Sequence, residues 1–237
     1  MKSTVLITTA TAPPAGMPYL KMTNVATRLL TAKAAIFFWA AQGVNSIVVA
    51  DSTGQTLLRE DELQMLKQMN VEVEQISYFQ NDDLVKDRGK GYAEGLLIQF
   101  AMENSAFLKR TSHFFKCTGK VYCRNFQEVS RLIELNHIQS IFWRYLGSGD
   151  MLMPGADMRF FYTSNAFCKE FLIPAYMGAD DKKEAVETIF FNAFQNQLPQ
   201  ASAMRPLISG FAGGTGEQYF DLGLGSLDAN YPCWVMA

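Results

Sequence analysis

Histidine and cysteine are scarce in this chain. It has only His113 and His137, and its four cysteines, at 117, 123, 168 and 233, form no Cys-x-x-Cys pair. That excludes zinc sites of the usual spacing, and four cysteines in 237 residues are too few for a disulfide-stapled scaffold. They read as buried thiols in a reducing compartment. No Asp-x-Asp, no Gly-x-Ser-x-Gly and no Walker A sequence occurs, so the chain shows no P-loop and no nucleophile elbow. Basic charge is not in excess. The 21 Lys+Arg face 23 Asp+Glu for a net charge of −2, which argues against a broad grip on nucleic acid but leaves room for a local cluster that holds a small anion. Long apolar runs are also missing. The uncharged stretch from Ala34 to Ala50 contains Gln42, Gly43, Asn45 and Ser46, and is shorter than the ~20 apolar residues of a membrane span. Val5-Leu6-Ile7 is too short for the apolar core of a signal peptide. The expected location is therefore cytoplasmic, with peripheral contact at the inner membrane.

What the chain does have is a core. Hydrophobic residues make up 49% and charged residues 19%, a balance that excludes disorder as the main state. Aromatics are abundant, with 18 Phe, 9 Tyr and 3 Trp, and there are 12 Met.

Thr4 to Thr9 reads as a buried strand closed by Pro13-Pro14 and Gly16. Thr23-Asn24 offers cap chemistry for a helix to about Gln42, where Gly43 ends it. Ser46 to Ala50 is a second buried strand and Arg59 to Met69 a short amphipathic helix. Val71 to Phe79 is a third strand, and Asn81 to Gly91 a polar loop leading into a helix over Tyr92 to Leu108. Ser112 to Cys117 is a fourth strand and Val121 to Cys123 a fifth. The alternation of buried strands and helices predicts an α/β fold with a mostly parallel, Rossmann-like sheet covered on both faces. Beyond Asn125 the pattern becomes α+β. Helices are expected over Phe126 to Asn136, Asn165 to Tyr176 and Lys182 to Gln197, and strands over Ile138 to Tyr145 and Arg159 to Thr163. The tail from Pro206 has little regular pattern. Its aromatics Phe211, Tyr219, Phe220, Tyr231 and Trp234 are expected to face a membrane or an acceptor.

Ligands of open α/β sheets bind beyond the carboxyl ends of the parallel strands. That rim collects Thr8 to Gly16, Asp51 to Gly54, Gln80 to Gly91 and Thr118 to Lys120. Arg88-Gly89-Lys90-Gly91 is the sharpest candidate: two glycines permit close backbone approach, two cations flank them, and a helix N-terminus follows. A mobile surface loop explains the same residues equally well. Lys116, between aromatics on a strand, needs either a partner or a route to water. Asp51 serves either a ribose or base, or simply its own turn. Asp157 and Glu187 are carboxylates that could act as a base, against the commoner outcome of solvated charges.

In this order the pieces resemble the bacterial glycosyltransferases that build surface polysaccharides from nucleotide sugars. The residues that carry the resemblance are Leu6 to Thr11 with the Pro/Gly loop and the Arg28 helix, Ser46 to Gly54, Arg88 to Gly95 with its helix to Glu103-Asn104-Ser105, Phe115 to Lys120 with Asn125, and Asp157 to Phe161 with the Glu187 helix. These short motifs span most of the chain. The resemblance implies a GT-A-like single domain, with a nucleotide-sugar half over 1–125 merged with an acceptor half over 126–237. It implies a UDP-, GDP- or CMP-linked donor and a glycan or lipid-linked acceptor in O-antigen or capsule synthesis. Donor contacts would come from Thr8, Thr9, Asp51, Arg88, Gly89, Lys90, Gly91, Glu94, Lys116, Thr118, Gly119 and Lys120, an acceptor contact from Arg159, and catalysis from Asp157 or Glu187. Many such enzymes hold Mn or Mg with Asp-x-Asp after the fourth strand. Here Lys116-Cys-Thr-Gly-Lys120 stands in that place, so no metal is assigned and cations are left to neutralise the diphosphate. Two rival classes remain: a non-catalytic nucleotide- or glycan-binding module, and a sugar nucleotidyltransferase. The Arg-free loop from Thr8 to Tyr19 counts against the second.

Overall fold

A computed structural model describes residues 3–15, 20–146, 154–212, 216, 218–220 and 231–237. Gly16 of the loop expected after the first strand, and residues 147–153 between two of the expected strands, lie outside these residues.

Four strands form the parallel part of the main sheet: β1 (Thr4–Thr9), β2 (Ser46–Asp51), β3 (Glu72–Ser77) and β4 (His113–Thr118), in the order β3-β2-β1-β4. β1 reads TVLITT with all six residues buried, because both faces of the sheet are covered. Val5 and Ile7 join Trp39, Phe126 and Ile133 on one side, and Leu6 joins Leu97, Ile98 and Tyr176 on the other. The strand's period of two splits its side chains between two cores.

The first core is covered by α1 (Val25–Ala41), α2 (Glu60–Gln68) and α6 (Phe126–Leu135). Asn24 caps α1 by accepting from the Thr27 amide at 2.9 Å, and Gly43 at φ 80 follows its end, as the sequence predicts. The second core is covered by α4 (Lys90–Asn104), by α7 (Asn165–Phe167) continuing through a π turn (Cys168–Leu172) into α8 (Ile173–Gly178), and by α9 (Val186–Gln197). Part of the expected polar loop before α4 is a helix, α3 (Asp82–Arg88), capped by Asn81. The single helix expected to Leu108 breaks at Ser105. Its hydroxyl accepts from the Leu108 amide at 2.9 Å and starts α5 (Ala106–Arg110). α9 begins at Val186 rather than Lys182.

The C-terminal half extends the sheet with antiparallel strands: β7 (Pro154–Ser164) beside β4, then β6 (Ser140–Leu146), β11 (Tyr231–Met236) and β8 (Gln200–Ala203). A second sheet of β5 (Val121–Cys123), β9 (Ile208–Phe211) and β10 (Gln218–Phe220) stands beside the end of β4. The domain is thus α/β with a parallel N-terminal section and an α+β C-terminal half. The tail departs from expectation. β11 lies between β6 and β8, and Trp234 is 1% exposed, packed edge-on to Phe191 and tilted against Phe194. Burial against α9 supplies the order that the Gly-rich tail lacks locally. No helix of the described residues is long and apolar enough to cross a membrane.

Candidate anion site at the carboxyl ends of the parallel strands

The rim is organised by Asp51 at the end of β2. Its Oδ2 accepts from the Thr11 amide (2.9 Å) and hydroxyl (3.0 Å), and its Oδ1 from the Thr53 amide (2.8 Å) and hydroxyl (2.5 Å) and the Gln55 amide (3.2 Å). The carboxylate is buried and its lone pairs are used. The reading as a ribose or base contact gives way to the turn cap: Asp51 binds the β1 and β2 loops to each other.

Arg28 fastens the same loops from α1. Its Nε and Nη2 donate to the Ala10 carbonyl at 2.9 and 2.6 Å, and its Nη1 to the Met22 carbonyl at 2.9 Å. It is 3% exposed, and burial lowers its pKa although Asp51 opposes the shift. Its sequence signal was a charge among the apolar residues of α1, next to a rim loop.

Beside it, the chain leaves β4 through Gly119 and Lys120. A Cβ at Gly119 would run into the Thr9 side chain and the Thr8 carbonyl, so the absence of a side chain lets β4 close on β1. Lys120 takes a left-handed φ of 74° and is gripped through its carbonyl by the Phe211 amide of β9 at 2.9 Å. Only 3% of Lys120 is exposed, and among the described residues its ammonium has no hydrogen-bond or ion-pair partner. Burial, with the Arg28 charge adding to it and Asp51 opposing, pulls its pKa down to about 7. The neighbouring Thr9 hydroxyl is also buried and unpartnered. Lys90 is half-buried, its pKa lowered by burial and by Arg28 against the pull of Asp181. Arg28 therefore acts electrostatically on both lysines, and the three cations share one region.

The sharpest sequence candidate is occupied by the protein itself. The amides of Lys90 and Gly91 at the start of α4 donate to the Asp181 carboxylate at 2.6 and 3.3 Å. Gly89 (φ 96) is backed by that same side chain. The Arg88 guanidinium is committed to the Ala179 and Met177 carbonyls at 3.0–3.2 Å and lies over Tyr92. Arg88, Gly89 and Gly91, expected as donor contacts, form a joint between α3, α4 and the end of α8.

A second polar cluster lies under the rim. Lys116 is fully buried, and its ammonium meets Glu94 Oε1 at 2.7 Å, the Met158 carbonyl at 2.7 Å and the Thr118 hydroxyl at 2.9 Å. Glu94 also accepts from the Thr8 hydroxyl at 2.8 Å and the Thr118 hydroxyl at 3.4 Å. Expected to touch the donor, Thr8, Glu94, Lys116 and Thr118 instead satisfy one another. Tyr176, seated where Gly95 has no Cβ, turns a buried hydroxyl toward Glu94; burial first and then Glu94 push its pKa well up. Nothing in the local sequence marks this tyrosine.

On the C-terminal side, Asp157 holds Arg159 at 2.7 and 2.9 Å, so each is the other's partner. Glu187, in the first turn of α9, is half-buried. Burial pushes its pKa up, and Glu94, Asp181 and Asp157 add to the shift. Among the described residues no three His, Cys, Asp or Glu side chains converge as metal ligands would, and the β4 end presents lysines and threonine in place of carboxylates. These residues do not fit a divalent ion.

No protein-family model matches the chain, and no curated protein matches it. Similar solved structures include the glycosyltransferase GlyE of Streptococcus pneumoniae TIGR4, with 10% identity and TM-score 0.48. That match covers 83% of this chain and 44% of GlyE, so the chain spans under half of that protein. A second, from Desulfovibrio desulfuricans G20, is described as a nucleotide-diphospho-sugar transferase, with 10% identity, TM-score 0.45, and 82% and 76% covered. A third is core-mannan synthase A of Aspergillus fumigatus in its Mn/GDP form, with 12% identity, TM-score 0.40, and 82% and 69% covered. At that distance they say nothing about which residues act here.

Proposed function

We propose that the protein is a nucleotide-sugar-dependent glycosyltransferase of GT-A-like build, acting on a surface glycan such as O-antigen or capsule. One observation carries the reading: Lys120, nearly buried and unpaired, stands with the unpartnered Thr9 hydroxyl and with Arg28 at the carboxyl end of β1 and β4. A buried ammonium without a counter-ion is costly, and a diphosphate supplies the missing charge. Lys90 adds a further cation, and Gly119 lets β4 close against Thr9 beside it.

In this reading the donor diphosphate sits on Thr9, Lys90 and Lys120, and the sugar points toward the C-terminal half. Glu187 takes the proton from the acceptor hydroxyl. The freed oxygen attacks the anomeric carbon as its bond to the diphosphate breaks, and the cations hold the departing charge. Glu187 suits the task better than Asp157, because a carboxylate with a raised pKa accepts a proton more readily and Asp157 is already held by Arg159. The reaction then inverts the anomeric centre. No step is routed through a metal.

Thermal shifts with UDP-, GDP- and CMP-linked sugars, with and without Mn²⁺, test the reading. One donor should stabilise the wild-type protein without metal, and Lys120→Met should weaken its binding by about tenfold or more. Stabilisation by none of them would sink the transferase reading.

A further inference from the structure

Among its described residues, the C-terminal half contains a second set of polar donors with no acceptor. Arg144 lies on β6, opposite Ala156 of β7. Its guanidinium covers the rings of Phe191, at 5.2 Å, and Trp234, at 5.9 Å, so the aromatic surfaces beneath it fix the plane of the charge. Its Nε is buried without a hydrogen-bond partner, and so is the indole N–H of Trp234 under the same guanidinium. The other two tryptophans are satisfied: Trp39 donates to the Val121 carbonyl at 3.1 Å and Trp143 to the Met204 carbonyl at 3.0 Å. Among the described residues no carboxylate pairs with Arg144, whereas Arg159 is held by Asp157 and Arg59 by Asp61.

This arginine is close to the proposed base. Phe191 follows Glu187 by four residues on α9, which places the two on one helix face about 6 Å apart. Through Phe191, Arg144 packs against the helix that carries Glu187. Glu94, Asp157 and Asp181 all act on Glu187 as like charges, and two of them already have a cation, Lys116 for Glu94 and Arg159 for Asp157. Among the described residues Arg144 is held by none of these carboxylates.

We propose that Arg144 is an anion-recognition residue of the acceptor side, and that the acceptor carries an oxyanion, either a carboxylate or a phosphate ester, near the hydroxyl that Glu187 deprotonates. The inference rests on reading the C-terminal half as the acceptor side. Planar guanidinium geometry suits a bidentate grip on either oxyanion, and the aromatic rings beneath hold the fork in place before binding. A neutral sugar would leave the guanidinium without its counter-charge.

The Trp234 indole resonance, assigned by comparison with Trp234→Phe, provides a local probe. Protein saturated with inorganic pyrophosphate is titrated with methyl β-D-glucuronide, methyl β-D-glucoside and glucose 6-phosphate while the three indole ¹H–¹⁵N signals are followed. At least one anionic probe should move the Trp234 signal, and the neutral glucoside should not. Which anion does so separates a uronic-acid source from a phosphate source. Arg144→Gln should weaken that response by about tenfold or more, and Arg144→Lys should keep part of it. Unmoved Trp39 and Trp143 signals report that each variant is folded. An equal response to the neutral glycoside, no response to either anion, or an undiminished response in Arg144→Gln would overturn the inference. Pyrophosphate affinity should be unchanged in Arg144→Gln. Failure of the wild-type protein to bind pyrophosphate would count instead against the donor reading.

Discussion

Two polar clusters flank the ends of β1 and β4, and they differ in one respect. Under the rim, Glu94 Oε1, Lys116, Thr8 and Thr118 bond to one another, and the Met158 carbonyl takes a further bond from the Lys116 ammonium. On the rim, among the described residues, neither the Lys120 ammonium nor the buried Thr9 hydroxyl has a partner, and Arg28 adds charge of the same sign as Lys120. Both clusters contain lysine and threonine a few positions apart in sequence, Lys116 and Lys120, Thr8 and Thr9, but only the first contains a carboxylate. In the first the buried ammonium already has its counter-charge in Glu94. The second can gain from one. Arg88-Gly89-Lys90-Gly91 belongs largely with the first, since Asp181 has taken the helix terminus that a phosphate would use.

The largest effect should come from breaking the closed cluster. Glu94→Gln leaves the Lys116 ammonium buried without its charge partner, and should cost about 3–5 kcal/mol in denaturant unfolding. Combining it with Lys116→Met should recover much of that loss, since no buried charge then remains. A small effect of Glu94→Gln alone would mean that the pair is not the structural unit described here.

An intermediate effect should appear as pH dependence at the open site. The unfolded chain keeps the Lys120 proton up to the ordinary lysine range near 10.5, whereas the folded chain releases it near 7. Between those values the unfolded state binds more protons, so stability should rise with pH from about 7 to 9, and Lys120→Met should flatten the rise. A bound diphosphate reverses the balance by restoring the proton. Pyrophosphate affinity should therefore fall as pH rises above 7, with proton uptake on binding measurable by calorimetry in buffers of different ionisation enthalpy.

The smallest effect should come from Asp181→Asn. It keeps an oxygen acceptor for the α4 amides but removes the charge, and should cost about 0.3–1 kcal/mol. Pyrophosphate affinity should stay level. A marked gain in affinity would move the diphosphate to the start of α4 and undo the contrast between the two clusters.

The strands β1 to β4 and the helix α1 were legible because buried β-branched runs and apolar periodicity are local properties of the chain. The rim was legible too, since loops at the ends of parallel strands must lie together. β11 was not. Its Gly-rich surroundings give no local signal, and its place between β6 and β8 is set by pairing with distant segments. Tyr176 reaches Glu94 only because Gly95 leaves room for it. The break at Ser105 was missed because a serine within a helical pattern also fits a continuous helix.

By itself, then, the sequence determined the alternation of buried strands and helices, the polar rim, and the residue types that could hold a phosphate there. Tertiary structure decided which of them are free to do so. Asp51, Arg88 and Lys116 have partners that fold in from other loops and helices, whereas Lys120 is carried by a left-handed turn into a buried place beside Arg28. The physical reason is that hydrogen-bonding capacity and buried charge are balanced in three dimensions, among groups far apart in the chain. A motif supplies donors and charges, and the fold determines whether they remain available.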